Sequence, residues 1–173
     1  FLVVLLGLGI TNANATDARS YVLVPEGTAL TEVRYAASET VTPSSPYDVV
    51  VKNGLSSLKN TYYFNFFGDL AAVQLTLPYA DTTKRINATS QHESGFGDPS
   101  VLVGWGFYGM PALSKSDFKN IQPNGFSSAI TAQFTLPYGE YNNKSSFNIG
   151  GNRSIQKYEL QGAWRNSGLI LEA

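Results

Sequence analysis

From residue 16 onward, hydrophobic and polar residues alternate with a period of two along most of the chain. The segment 71–79 places Ala, Val, Leu, Leu and Tyr on one side of a strand and Ala, Gln and Thr on the other, and the segment 129–138 alternates in the same way. Successive side chains of a strand point to opposite faces, so this alternation predicts β-strands. The predicted strands are 28–37, 58–67, 71–79, 98–108, 129–138 and 154–165, with a seventh that starts at Gly168.

The predicted strands are long, and they carry charges in their middle. Each has about ten residues, the length that a tilted membrane-spanning strand needs, whereas strands of soluble domains usually have about five or six. Glu32, Arg34, Lys157 and Glu159 lie on the face opposite the aromatic residues. A barrel with lipid outside and water inside has this pattern. We therefore predict that these four side chains face a lumen, where they either tune what passes or form cross-strand ion pairs.

The connections between the predicted strands alternate in length. Tight turns are predicted at 68–69 and 166–168, and long polar loops at 38–57, 80–97 and 139–153. Long loops on one side and short turns on the other are typical of outer-membrane barrels, although the connection 109–125 is too long for a turn. The predicted fold is an all-β, antiparallel up-and-down transmembrane barrel with membrane lipid as its partner. Leu75 and Phe134 are predicted to face lipid, and Tyr79 and Tyr138 to join an aromatic girdle.

One sequence unit occurs twice. Residues 74–81 read QLTLPYAD and residues 133–140 read QFTLPYGE, which is an offset of 59 residues (133 minus 74). The match predicts a unit of strand, loop, strand and loop that is used twice. Since proline cannot donate to a strand ladder, Pro78 and Pro137 are predicted to mark strand ends.

The first fifteen residues differ from the rest. An unbroken apolar run at 1–10 precedes a small-x-small pattern at 11–15, which predicts a signal peptide that lacks its start. Ten residues are too few for a helix that crosses a hydrocarbon core of about 30 Å. We expect residues 1–15 to be cleaved on export, and residues 16–173 to form the amino-terminal part of one barrel domain.

Composition narrows the classes of function. Charged residues make up 14% of the chain, against about 25% in soluble domains. Hydrophobic residues make up 43% of the chain. The chain is therefore too apolar to be disordered, and it has too few charged residues to cover its surface with water-binding groups. A net charge of -1 without a basic run argues against nucleic acid as a partner. With no cysteine and a single histidine, we predict no metal site and no cofactor.

His92 and Asp98 are the candidate residues for catalysis or metal binding. His92 lies in the polar run 82–93, where it could serve as the general base of a lipid hydrolase, but a solvated loop histidine is the favoured interpretation. Asp98, between Gly97 and Pro99, fits a turn that satisfies its own backbone, with a calcium ligand as the alternative. We predict no catalytic residue and no enzyme activity.

Three motifs occur in order along the chain: SGFGDP at 94–99, LPYGE at 136–140 and NIGGNRS at 148–154. With them the segment from about residue 28 to 171 resembles the outer-membrane proteins of meta-pathway phenol degradation, which are often labelled transporters. The resemblance implies a Gram-negative outer-membrane barrel associated with passage of small hydrophobic or aromatic compounds. Members are longer, so we expect that this chain is truncated at its carboxy terminus and that the full-length protein has further strands.

Two other functions remain open at the level of sequence. One is a soluble periplasmic barrel of lipocalin type, which would turn its apolar face inward around a ligand. The other is a structural or lipid-modifying outer-membrane protein. The orientation of the apolar face separates the first of these from a membrane channel.

Overall fold

The computed structural model describes residues 2–8, 23–44, 47–121, 124–145, 147–166 and 169–172. These residues form one sheet of nine strands and a single helical turn. All described neighbours in the sheet are antiparallel except β1 and β2, which confirms the all-β antiparallel prediction. The elements are β1 (Leu2–Leu8), β2 (Ala29–Ser44), β3 (Tyr47–Phe66), β4 (Asp69–Ile86), β5 (Thr89–Phe96), β6 (Ser100–Tyr108), α1 (Lys115–Phe118), β7 (Gly125–Thr135), β8 (Ile155–Asn166) and β9 (Leu169–Glu172).

Seven of these strands overlap the seven predicted ones. Of the other two, β1 lies within the predicted signal peptide and pairs with β2 in parallel. Residues 9–15 of that segment are outside the described residues, and its cleavage stays a prediction. The predicted turn at 68–69 is present as Phe67–Gly68, whereas residues 167–168 of the other predicted turn are outside the described part.

The predicted loops at 38–57 and 80–97 were wrong. Those residues extend β2 to Ser44, start β3 at Tyr47, extend β4 to Ile86 and form β5. The polar composition suggested loops, but both segments contain β-branched residues, Thr40, Val41 and Thr42 in the first and Thr82, Thr83 and Ile86 in the second, which suit a pleated strand. Each extended strand also provides hydrogen-bond partners for its neighbour, so the hairpins continue far beyond the apolar part of the sheet. The third predicted loop is confirmed as an irregular segment between β7 and β8.

Consecutive strands are neighbours through most of the sheet, as expected for an up-and-down fold. The exception is β4, whose second edge is shared by two strands. Its first part pairs with β6, where Thr76 lies opposite Ser100, and its second part pairs with β5, where Tyr79 lies opposite Phe96. The chain steps from β5 to β6 through residues 97–99, and the register against β4 changes by one residue at that step.

A small buried cluster covers the turn end of the sheet. It consists of Leu23, Leu70, Met110 and Ala129, with Phe118 packed against it. The connection between β6 and β7 folds back over the sheet, because the Leu70 N–H donates to the Met110 carbonyl at 2.8 Å. The connection 109–125, which is too long for a turn, therefore supplies core residues instead of a simple reversal.

The part of the chain that the structure describes has neither a helix suited to crossing a bilayer nor a cluster of metal-binding side chains. None of the helical residues described forms a segment long and apolar enough to span a bilayer. Within the same part of the chain, no three His, Asp or Glu side chains are grouped closely enough to hold a metal ion.

Candidate functional site

One face of the sheet, here called the outward face, carries exposed apolar side chains. On β4, Val73, Leu75 and Leu77 are between 36% and 41% exposed although they lie in the middle of a paired strand. The register aligns these and other apolar residues in rows across five strands, and among them only Ala71 is buried. A contiguous apolar surface of this extent indicates a non-aqueous contact. One row consists of Tyr62, Val73, Val103, Ala132 and Tyr158, and the next of Phe64, Ala71, Trp105, Ile130 and Leu160.

Aromatic side chains bound this apolar band at the turn end. The rings of Phe66 and Phe67 meet edge to face with centroids 4.6 Å apart. Phe66 also meets Trp105 at 5.9 Å, and Trp105 meets Phe107 at 6.0 Å. This aromatic row was not predicted from the sequence, although the run of aromatic residues next to a tight turn is a usable signal.

A second aromatic row bounds the band at the other end. Tyr79 contacts Phe96 edge to face at 5.4 Å, and Tyr35 lies on the same face two strands away. The strand advances eight residue steps (79 minus 71) from Ala71, opposite Trp105, to Tyr79, which is about 26 Å of strand. At a tilt of about 40° this gives a height of about 20 Å, close to the apolar band of about 25 Å in outer-membrane barrels.

The predicted lipid-facing residues are distributed as follows. Leu75 and Tyr79 lie exposed on the outward face of β4. Phe134 lies on the same face of β7, half-buried, with its ring 6.3 Å from that of Tyr158. Tyr138 is 77% exposed but follows the end of β7, so it is not part of a strand. Contact of these four residues with lipid stays a prediction.

The opposite face, here called the inward face, is polar. The Thr61 hydroxyl donates to Gln74 at 3.2 Å, and the Gln74 amide donates to Thr76 at 3.3 Å. On the neighbouring strands the Gln133 amide donates to the Ser100 hydroxyl at 3.1 Å. These side chains form a hydrogen-bonded lining across the middle of the sheet.

The four predicted lumen residues all lie on the inward face. Arg34 pairs with Glu32 within β2, and Lys157 Nζ lies 2.9 Å from Glu159 Oε1 within β8. Each ion pair therefore joins two residues of one strand, two positions apart. Lys59, which was not identified from the sequence, lies opposite Glu32 in the register. The alternation of β3 places it on the inward face, and that signal was available. Their exposure to a lumen stays a prediction.

His92 lies in β5, so the prediction of a loop histidine was wrong. Its Nε2 lies 3.7 Å from Asp81 Oδ2, and its Nδ1 lies 3.2 Å from the Thr83 hydroxyl. Both ring nitrogens are thus directed at residues of β4. The strand pairing that places them there comes from the extension of β4 and β5 beyond the apolar band.

Asp98, in the first of the three sequence motifs, binds one residue of each of the other two, Gly139 and Gly151. We call this meeting point of the three motifs the junction. Asp98 Oδ1 accepts the Gly139 N–H at 2.8 Å, and Asp98 Oδ2 accepts the Gly151 N–H at 2.7 Å. The predicted role in its own turn was therefore wrong, because both carboxylate oxygens bind backbone N–H groups more than forty residues away. Carboxylates that accept backbone N–H groups form strong, charge-assisted hydrogen bonds.

The junction is packed so closely that it excludes side chains. A Cβ added to Gly139 would lie 2.6 Å from the Asp98 nitrogen, and one added to Gly150 would lie 2.7 Å from the Gly139 carbonyl carbon. The Glu140 N–H donates to the Phe96 carbonyl at 2.8 Å, and the Glu140 carboxylate accepts the Phe96 N–H at 3.3 Å. The residues that follow β7 are therefore held against the step between β5 and β6.

Residues 33–166 match the family described as "Putative MetA-pathway of phenol degradation". The chain belongs to this family. All three motifs of the junction fall within the matched residues, which confirms the resemblance inferred from them. Among curated proteins, no sequence matches the chain.

A solved structure shares the fold. It is an outer membrane channel from Pseudomonas putida F1, 20% identical in sequence, which superimposes with a TM-score of 0.66. The match covers 91% of this chain and 58% of the channel. The chain therefore spans less than two thirds of the length of that protein.

Proposed function

We propose that this chain forms part of the wall of an outer-membrane β-barrel channel for small hydrophobic or aromatic molecules. The observation that supports it best is the distribution of side chains between the two faces. The outward face is an exposed apolar band between two aromatic rows, and the inward face is a hydrogen-bonded polar lining. A wall between lipid and a wet lumen requires this arrangement. Membership of the phenol-degradation family favours the aromatic class of cargo.

The arrangement argues against a soluble barrel of lipocalin type. Such a barrel needs its apolar side chains inside, around the ligand. Here the buried cluster with Leu70 and Met110 lies on the face that also carries the polar lining, whereas the larger apolar surface is exposed on the other face.

Spin labels on the full-length protein in lipid vesicles test the orientation. We expect labels at Leu75 and Phe134 to be relaxed by oxygen dissolved in the bilayer, because these residues lie on the outward face. Labels at Gln74 and Gln133 should instead be relaxed by a water-soluble nickel complex. The opposite accessibility at both pairs would contradict the proposed wall.

Uptake of an aromatic substrate tests the channel. A deletion of the gene should slow uptake most at low external concentration, where a permeability barrier limits the rate, and the plasmid-borne gene should restore it. Uptake of a small hydrophilic sugar by the same cells is the control. Unchanged aromatic uptake at low concentration would contradict the proposed cargo and leave the membrane orientation to be judged by the spin labels.

A further inference from the structure

The outward face changes from apolar to mostly polar immediately beyond the second aromatic row, which contains Tyr35 and Tyr79. On the side of the band, β2, β3 and β4 present Val33, Leu58 and Leu77. On the other side, the same strands and β5 present polar and charged side chains while remaining paired. In the first row beyond the tyrosines, Asp81 and Ser94 lie beside the small residues Ala37 and Gly54, and the second row, Glu39, Lys52, Thr83 and His92, is polar or charged throughout.

A groove of about 700 Å³ lies at this boundary, between β2, β3 and β4. Gly54 forms part of its lining, and a Cβ added there would lie 3.4 Å from the Tyr35 hydroxyl, so a side chain at this position would reduce the open space. Tyr35 and Tyr79 line the groove next to the apolar band and are 48% and 39% exposed. Asp81 lines it on the side that points away from the band.

The lining groups are those that recognise hydroxyl-rich molecules. Tyrosine rings provide apolar faces with a polar tip, and carboxylate and amide groups provide acceptors and donors for sugar hydroxyls. The charged side chains of the lining carry both signs, because Lys52 lies 3.4 Å from Glu39 and Asp81 is a second carboxylate. A site that binds only phosphate needs a cluster of unpaired cations, and these lining residues do not form one.

We infer that this groove binds the saccharide of a glycolipid in the outer leaflet of the membrane. The inference rests on the proposed function, because the apolar band must face lipid for such a molecule to reach the groove. Its acyl chains would then lie against Val33, Leu58 and Leu77, and its sugars would enter between Tyr35 and Asp81. One amphipathic molecule thus accounts for both the apolar surface and the polar groove that continues it.

The experiment uses the full-length protein in detergent micelles and purified rough-type lipopolysaccharide as the probe, with binding followed by native mass spectrometry. We expect G54W, which fills the groove, to weaken binding by about tenfold. Asp81→Ala, which removes an acceptor without adding bulk, should also weaken it. The matched control is Q156W, because Gln156 is an exposed outward residue of β8, away from the groove between β2, β3 and β4.

Four outcomes decide the question. Binding lost in G54W and D81A but kept in Q156W supports the groove. Equal binding by all variants would overturn it, as would tighter binding of the lipid-free core oligosaccharide than of the glycolipid, since that result assigns the groove to a soluble sugar. Insertion into lipid vesicles is measured in parallel. A wild-type protein that does not insert would overturn the proposed function itself, whereas normal insertion without glycolipid binding would overturn only this inference.

Discussion

The two copies of the repeated unit have nearly the same sequence but different structures. In the first copy, residues 74–81, the strand continues through Pro78 and ends only at Ile86. In the second copy, residues 133–140, the strand ends at Thr135 and the remaining residues leave the sheet. The prediction that the two prolines mark strand ends is therefore confirmed for Pro137, which lies two residues past the end of β7, and wrong for Pro78.

The difference lies in the neighbours of each copy. Pro78 and Tyr79 lie opposite Ser57 and Ser56 of the long strand β3, and β5 pairs with β4 on the other side from Tyr79 onward. The neighbours of β7 do not extend as far, since β6 begins only at Ser100 and β8 begins at Ile155. A strand without partners leaves its backbone groups unpaired, so β7 ends where its neighbours end.

Backbone geometry also explains why Pro78 is tolerated inside β4. The Pro78 carbonyl accepts the Gly97 N–H at 3.0 Å, so the missing N–H of the same residue points to that side and not to β3. At Gly97 the register between β4 and its neighbours changes by one residue. A proline at such an irregularity costs little, because no regular ladder bond is lost there.

The largest expected effect on stability is that of Asp98→Ala, because Asp98 holds the residues of the second copy against the step between β5 and β6. This change removes both acceptors of the Gly139 and Gly151 N–H groups. Each charge-assisted bond contributes about 1.5 kcal/mol when partly exposed, so the free energy of unfolding should fall by about 3 kcal/mol. Urea unfolding of the full-length protein in detergent, followed by tryptophan fluorescence, measures the change.

The matched control for this prediction is Asp98→Asn. The amide keeps one oxygen acceptor, so about half of the loss is expected. Limited proteolysis should cut the segment 139–153 faster in Asp98→Ala than in the control. Equal stability of Asp98→Ala and the wild-type protein would show that the junction is held by packing alone.

A smaller effect is expected from Gly139→Ala. The added Cβ would lie 2.6 Å from both the Gly97 carbonyl carbon and the Asp98 nitrogen, which are backbone atoms and cannot rotate away. The two segments must separate, at a cost of about 1 to 3 kcal/mol. Urea unfolding measures this cost, and weaker hydrogen-exchange protection of the Gly139 amide should accompany it. An unchanged unfolding midpoint would contradict the close approach.

The reciprocal change, Ala80→Gly, affects the equivalent position in the first copy. Ala80 lies within β4 between Leu55 of β3 and Gly95 of β5, where no close approach requires glycine. We expect a loss of about 0.5 to 1 kcal/mol, because glycine loses more conformational freedom in a strand. The same unfolding experiment applies. If Ala80→Gly lowered the free energy of unfolding as much as Gly139→Ala, the two copies would respond alike. The close backbone approach at Gly139 would then not explain the difference between them.

Side-chain alternation was enough to predict seven strands, their antiparallel order and the face on which Glu32 and Lys157 lie. It did not predict how far the strands extend, because β2 to β5 become polar on the outward face beyond Tyr79 and resemble loops in composition. It also did not place Asp98 next to Gly139 and Gly151, because a contact between residues more than forty positions apart has no periodic signal. The ordered motifs indicated that these residues matter without showing that they meet.

The smallest effects are expected from Pro78→Ala and Pro137→Ala, and they separate the two explanations for where a strand ends. Each change should lower stability by only about 0.4 to 1 kcal/mol, because the unfolded chain gains freedom. If absent neighbours end β7, Pro137→Ala should leave the segment 136–140 outside the sheet, with the Tyr138 N–H still bonded to the Leu136 carbonyl at the wild-type 2.8 Å. Hydrogen exchange can decide this, because Pro137→Ala gives residue 137 an amide hydrogen that the wild-type proline lacks. If the strand extended through residue 137, this amide would be protected from exchange as the Tyr79 amide is. Such protection would show that proline, and not the length of β6 and β8, ends the strand.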